Sequence, residues 1–156
     1  MFNINTLFSM LAFFTLALTT LGCSTEGMAA RSAMKNSEGG RVYYTPGPPP
    51  DLIISDFNDL RFEKSIESIR SSGAKELSIK ESVLSFESMA LISSVKSLTT
   101  VRFLGDIVSP SILLGLAESD TIDRIVVSPG VLSDSEISEL ETAMPSVRIQ
   151  ESIASW

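Results

Sequence analysis

The sequence predicts an α/β fold built as a short solenoid of four to five strand–helix units along a parallel sheet. Three observations carry the prediction. The apolar pairs Leu77/Ile79, Val101/Phe103 and Ile125/Val127 recur every 24 residues, and Val147/Ile149 follows after 22. Each pair has a further residue, mostly apolar, three positions upstream: Ala74, Leu98, Ile122 and Met144. Between the pairs the apolar residues change to spacings of three and four, which mark one face of a helix. An interval near 24 is tight for a free-standing β-α-β unit, which generally needs about 30 residues. It suits stacked units in which each short strand pairs with the next. The competing fold is a compact α/β sandwich with helices on one or both faces of a mixed sheet, which accounts for the alternation but not for the equal intervals.

Taken in chain order, residues 4–22 form an uncharged apolar stretch ending at Gly22-Cys23. It resembles a bacterial lipoprotein signal peptide, whose lipobox closes on a small residue and the cysteine to be lipidated. Thr20-Leu21-Gly22-Cys23 matches at Gly22 and Cys23 and departs at Thr20, and the start MFNINT lacks the usual Lys or Arg. The resemblance implies a signal peptide over 1–22, lipidation at Cys23 and a lipid anchor in the cell envelope. Acyl chains contribute about 0.8 kcal/mol per buried CH₂, enough for stable anchoring when two or three are attached. The alternatives are a short transmembrane anchor, since the stretch is near the lower length limit for spanning, and an ordinary secretory signal.

Residues 23–50 read as a tether. Ser37-Glu38-Gly39-Gly40 is a flexible composition, and Pro46-Gly47-Pro48-Pro49-Pro50 a stiffer polyproline-like one. Val42-Tyr43-Tyr44 is the apolar exception, suited to an added edge strand, to packing on the first unit or to docking a partner. The proline run also has the composition that polyproline-binding grooves take.

The folded domain is expected over 51–156. Leu52-Ile53-Ile54 falls one period before Leu77 and gives the first strand; Phe62, Ile66 and Ile69 then continue as a helix ending at Gly73. Met89, Ile92 and Leu98 follow the second strand, and Ile112, Leu113, Leu116 and Ala117 the third. Ile137, Leu140 and Met144 follow the fourth. Ser109-Pro110 places proline where a missing N–H costs nothing. Ser133-Asp134-Ser135-Glu136 has the capping side chains and acids of a helix start, and Pro145 stops that helix. Trp156 is placed to fold back over the last strand.

Leu98-Thr-Thr-Val101-Arg-Phe103 and Ile122-Asp-Arg-Ile125-Val-Val127 look like the LxxLxL core of leucine-rich repeats. The stretch Leu132–Ile149 resembles the helix-to-strand half of the type with helices on its convex side. The resemblance spans roughly 52–156. It departs where an asparagine or cysteine usually closes the motif, since those positions read Asn58, Ser82, Asp106, Gly130 and Ser152. Ser and Asp can partly replace the asparagine that satisfies turn backbone, and Gly130 cannot. What the resemblance implies is an irregular, short solenoid that binds a protein on its strand face.

Strand alternation puts Glu76, Ser78 and Lys80 on that face, then Thr100, Arg102 and Leu104, then Arg124, Val126 and Ser128, then Ser146, Arg148 and Gln150. The binding candidates are therefore Lys80, Arg102, Leu104, Arg124, Val126, Arg148 and Gln150. Four bases stand there against Glu76 alone, while Glu118, Asp120, Asp123, Asp134, Glu136, Glu139 and Glu141 belong to helices and turns. The expected partner is an acidic protein segment or an anionic envelope polymer, because arginine pairs bidentately with carboxylate or phosphate.

The net charge of −7 argues against nucleic acid or an anionic membrane surface as a general partner. The chain has no histidine and one cysteine, which excludes the commonest general base, an intrachain disulfide and a cysteine-based metal cluster. Three Ser-x-x-Lys strings occur, Ser32/Lys35, Ser72/Lys75 and Ser93/Lys96. About one such match arises by chance in a chain this rich in serine, and the motifs that accompany a serine–lysine nucleophile are missing. Asp51, Asp56 and Asp59 cluster in sequence but fit no calcium loop. The expectation is a non-enzymatic, envelope-anchored interaction module with no metal or other cofactor. A small serine-hydrolase-type envelope enzyme is one alternative. A structural envelope protein that associates with its own copies through Leu104, Val126 or free sheet edges is the other.

Overall fold

The computed structural model describes residues 40–45, 50–105 and 108–153. The leader, Cys23, most of the tether, Asp106 and Trp156 lie outside them. Six strands form one sheet in the order β1-β2-β3-β4-β5-β6. They are β1 (Arg41–Thr45), β2 (Asp51–Ser55), β3 (Glu76–Lys80), β4 (Thr100–Leu104), β5 (Arg124–Val127) and β6 (Arg148–Glu151). Every strand lies beside its sequence neighbour. The pairs from β2 to β6 are all parallel, and β1 joins β2 antiparallel. The chain is thus an α/β fold with a mostly parallel sheet alternating with helices, and the mixed character comes from β1 alone. Val42-Tyr43-Tyr44, the tether's apolar group, is the centre of that edge strand.

The 24-residue interval becomes register. Leu77 is the Cα partner of Val101, and Val101 of Ile125; Ile79 is the partner of Phe103. A second ladder of backbone bonds precedes the strands. The amides of Lys75, Thr99, Asp123 and Arg148 donate to the carbonyls of Pro50, Lys75, Thr99 and Asp123 at 2.8–3.0 Å. Each unit is therefore tied to the one before it where its strand begins.

The helical segments are α1 (Asp59–Ser71), α2 (Phe86–Ser93), α3 (Pro110–Leu113) with a 3₁₀ turn over Leu114–Leu116, and α4 (Asp134–Ala143). Their starts follow the capping chemistry. Asn58 and Ser85 accept from the amides of Arg61 and Ser88, and Ser133 with Glu136 completes a reciprocal capping box. Pro110 stands at the first turn of α3. The third unit departs from expectation: Ile112, Leu113 and Leu116 lie on one short α turn continued as 3₁₀, with Ala117 as its C-cap, not on a full helix. Leu98 and Met144 fall after their helices, where they still enter the core.

One hydrophobic cluster joins the inward strand residues Leu52, Ile54, Leu77, Ile79, Val101, Phe103, Ile125, Val127 and Ile149 to Phe62, Ile69, Met89, Ile92, Leu113, Leu116 and Leu140 of the helical segments. All the described helical segments thus cover the same face of the sheet. Burying an aliphatic side chain of this size contributes about 1.5–3 kcal/mol. Gly115 permits the tightest approach, because a Cβ there would stand 2.6 Å from Met89 Cβ and from the Phe86 carbonyl oxygen.

The turns that close the strands solve the asparagine problem piecemeal. Ser82 Oγ donates to the Lys80 carbonyl and accepts from the Phe57 amide. Asn58 is used as a helix cap instead. Gly130 adopts a φ of +74° and offers no side chain. The bond it cannot make comes from Ser128, whose Oγ accepts from the Gly105 amide at 3.0 Å. The Gly130 amide in turn donates to the Glu151 carboxylate at 2.8 Å.

Candidate interaction surface

The face of the sheet turned away from the helices is assembled by register. One row runs Asp51, Glu76, Thr100, Arg124, Arg148, each the Cα partner of the next. The second runs Ile53, Ser78, Arg102, Val126, Gln150. In the third, Ser55, Lys80 and Leu104 are successive partners. The predicted binding residues of β3 to β6 therefore do share one face, and strand alternation was the signal that found them.

Their environments differ from the expectation in three ways. Leu104 and Val126, expected to be exposed, are only 6% and 3% exposed, and Ser78 and Thr100 are buried too. Val126, Ser78 and Thr100 stand on inner strands with longer neighbours in register, Val126 between Arg102 and Gln150, while Leu104 ends β4 beside Lys80. An exposed apolar patch of Leu104 and Val126 is therefore absent from the described surface.

The balance of charge also changes. Glu76 is not the only acid on the face, since Asp51 stands beside it in register. The apolar run at Leu52 marks the strand centre, and nothing in its spacing singles out the acid that begins the strand. Burial, with Glu76 adding repulsion, pushes the Asp51 carboxyl up to about 6, against which Arg102 and the Ser78 hydroxyl act. Ser78 Oγ stands 3.5 Å from Asp51 Oδ1.

Finally, the four bases are not equivalent. Arg102 Nε is ion-paired with Glu76 Oε1, their side chains 30% and 16% exposed. Lys80 Nζ lies 3.6 Å from Glu81 Oε1. Arg124 and Arg148, both exposed, make no ion pair among the described residues. They line an open hollow of about 500 Å³ with Asp123, Glu141, Pro145, Ser146 and Val147 at the starts of β5 and β6. Gln150 is exposed on the outermost strand.

The other sequence candidates are engaged elsewhere. Ser72 Oγ donates to the Ile69 carbonyl and accepts from the Ala74 amide. Ser93 Oγ donates to the Ala90 carbonyl, and Lys96 Nζ holds Asp120 at 2.8 Å, keeping that carboxyl below its ordinary value. Neither serine meets its lysine, and Ser32/Lys35 lies outside the described residues. Asp56 reaches Arg41 at 3.7 Å, while Asp59 accepts from the Ser85 amide and the Ser88 hydroxyl at 2.8 and 2.6 Å. The three acids of the 51–59 stretch thus serve separate contacts. Among the described residues no group of three or more Asp, Glu, His or Cys gathers to hold a metal ion. No described helix is long and apolar enough to cross a membrane. The chain matches no protein-family model, no curated protein and no solved structure.

Proposed function

We propose that this chain is a non-enzymatic interaction module, a short leucine-rich-repeat-like solenoid that binds an acid-bearing protein segment on its open sheet face. The observation that carries the reading is the pair Arg124 and Arg148, exposed, adjacent in register and without a carboxylate partner among the described residues. Two guanidinium groups side by side repel each other in the free protein, and a carboxylate brought between them relieves that repulsion through planar, two-point hydrogen bonds. Sequential parallel strands at a 24-residue interval support the solenoid reading. The Gly22-Cys23 junction supports an envelope lipid anchor, with the tether holding the module off the membrane.

Titration of the purified chain with a fluorescent Asp/Glu-rich peptide tests this. Arg124→Glu/Arg148→Glu is expected to weaken binding at least tenfold, whereas Lys96→Glu, on the helix side, leaves it unchanged. Equal affinity for wild type and both variants would remove the reading.

A further inference from the structure

The first row of the sheet face reads Asp51, Glu76, Thr100, Arg124, Arg148. Over the five parallel strands two acids and two bases stand symmetrically about Thr100, and the antiparallel edge strand β1 extends the row past Asp51 with the neutral Thr45. Strands lie about 4.8 Å apart, so the row spans about 19 Å with Thr100 at its centre. Such a row is complementary to itself when turned end for end. A two-fold axis parallel to the strands, passing over Thr100, would set Asp51 of one copy against Arg148 of the other, and Glu76, which also holds Arg102 of its own chain, against Arg124. An isologous interface requires this self-complementarity.

The second row accepts the same operator. Ile53 meets Gln150, Ser78 meets Val126, and Arg102 meets its own copy with its charge already answered by Glu76. In the third row Leu104 meets Leu104. The central residues Ser78, Thr100, Leu104 and Val126 are all buried in the single chain. The middle of the face is therefore low apart from Arg102, whose partly buried side chain is held by Glu76 of the neighbouring strand.

We propose that the partner of the sheet face is a second copy of this chain, docked face to face with its strand order reversed. The proposal rests on the reading of this face as the binding face and names its occupant. The five parallel strands, each about five residues long, give a footprint of about 400 Å² per copy at ordinary strand dimensions. A total near about 800 Å² lies below the standard interface size. The dimer is accordingly weak, and its ion pairs at the margins make it salt-sensitive.

The test uses two differently tagged full-length copies, co-purified in detergent and followed by sedimentation at rising concentration and salt. Wild type is expected to self-associate, with association falling at least fivefold between low and high salt. Arg148→Glu and Asp51→Lys are each expected to lose self-association about tenfold, because each places like charges opposite one another twice. Mixing the two variants is expected to restore it, since the acid introduced at one end of the row then faces the base introduced at the other. Circular dichroism checks folding, and Asp51→Asn, which only removes a charge, is expected to give an intermediate loss should Asp51→Lys not fold. Wild-type protein that stays monomeric, association through a sheet edge that ignores both charge variants, or failure of the mixture to recover would each overturn the proposal. A monomer that still binds the acidic peptide through Arg124 and Arg148 leaves the sheet-face reading standing and removes only the second copy. Charge variants that change neither peptide binding nor self-association remove both.

Discussion

Arg124 and Arg148 are direct partners across the parallel pair β5–β6, both exposed and neither ion-paired among the described residues. Like charges facing each other across strands oppose sheet pairing by a few tenths of a kcal/mol up to about 1. Arg148→Thr is therefore expected to raise the melting temperature slightly, by the equivalent of about 0.5 kcal/mol, while weakening capture of an acidic peptide. A loss of stability in thermal unfolding would contradict this account.

The ion pair between Arg102 and Glu76 is partly buried and sits beside Asp51. A double-mutant cycle with Glu76→Gln and Arg102→Met should give a coupling energy of about 1 kcal/mol, above that of an exposed pair. Glu76→Gln should also lower the Asp51 pKa, because it removes the neighbouring repulsion while Arg102 and the Ser78 hydroxyl still favour the charged form. Side-chain carboxyl shifts followed by NMR from acid to neutral pH measure it.

Asp51 gives stability a pH dependence of definite sign. Its folded-state pKa, about 6 against an ordinary 3.8, means that the folded chain holds the proton more tightly. That contribution is fully present below about pH 3.8, is lost as pH rises through about 6, and is absent above. Asp51→Asn should be more stable than wild type at about pH 7.5, by up to about 1 kcal/mol after solvent screening is allowed for. The difference should vanish near about pH 4, and melting curves across that range decide it.

Asp59 behaves with the opposite sign. The Ser88 hydroxyl, assisted by backbone and side chain of Ser85, holds its carboxyl below the ordinary value. The strap it makes from α1 to the start of α2 is present above pH 3.8 and lost as pH falls through the lowered pKa. Asp59→Ala should cost about 1 kcal/mol at neutral pH, the ordinary worth of such hydrogen bonds, read by urea unfolding.

Gly115 marks where the 3₁₀ turn meets α2 most closely. Gly115→Ala drives a methyl group against Met89 and the Phe86 carbonyl, and overpacking of this kind costs about 1–3 kcal/mol. Gly73→Ala meets open space at its Cβ but keeps a φ of +65°, so its cost is conformational, about 1 kcal/mol. Unfolding of the two variants should rank them in that order.

How much was legible in the sequence follows from what repeats. The interval from Leu77 through Val101 to Ile125 determined the α/β class, the parallel neighbours and even the register, because parallel strands of equal units must bring equivalent residues side by side. Ser133–Glu136 located one helix start, because unpaired amides at a helix end need a local acceptor, and Pro110 located another, because its missing N–H costs nothing in a first turn. Strand alternation placed Arg102, Arg124 and Arg148 on one face. Only the tertiary structure decided which of them is free. Glu76 reaches Arg102 from the neighbouring strand, 26 residues away, and Ser128 replaces the ladder bond that Gly130 cannot make. Leu104 and Val126 are buried although alternation places them on the outer face. Periodicity is a local property of the chain, whereas the pairing of a charge or the cover over a short side chain belongs to neighbours that only the sheet brings together.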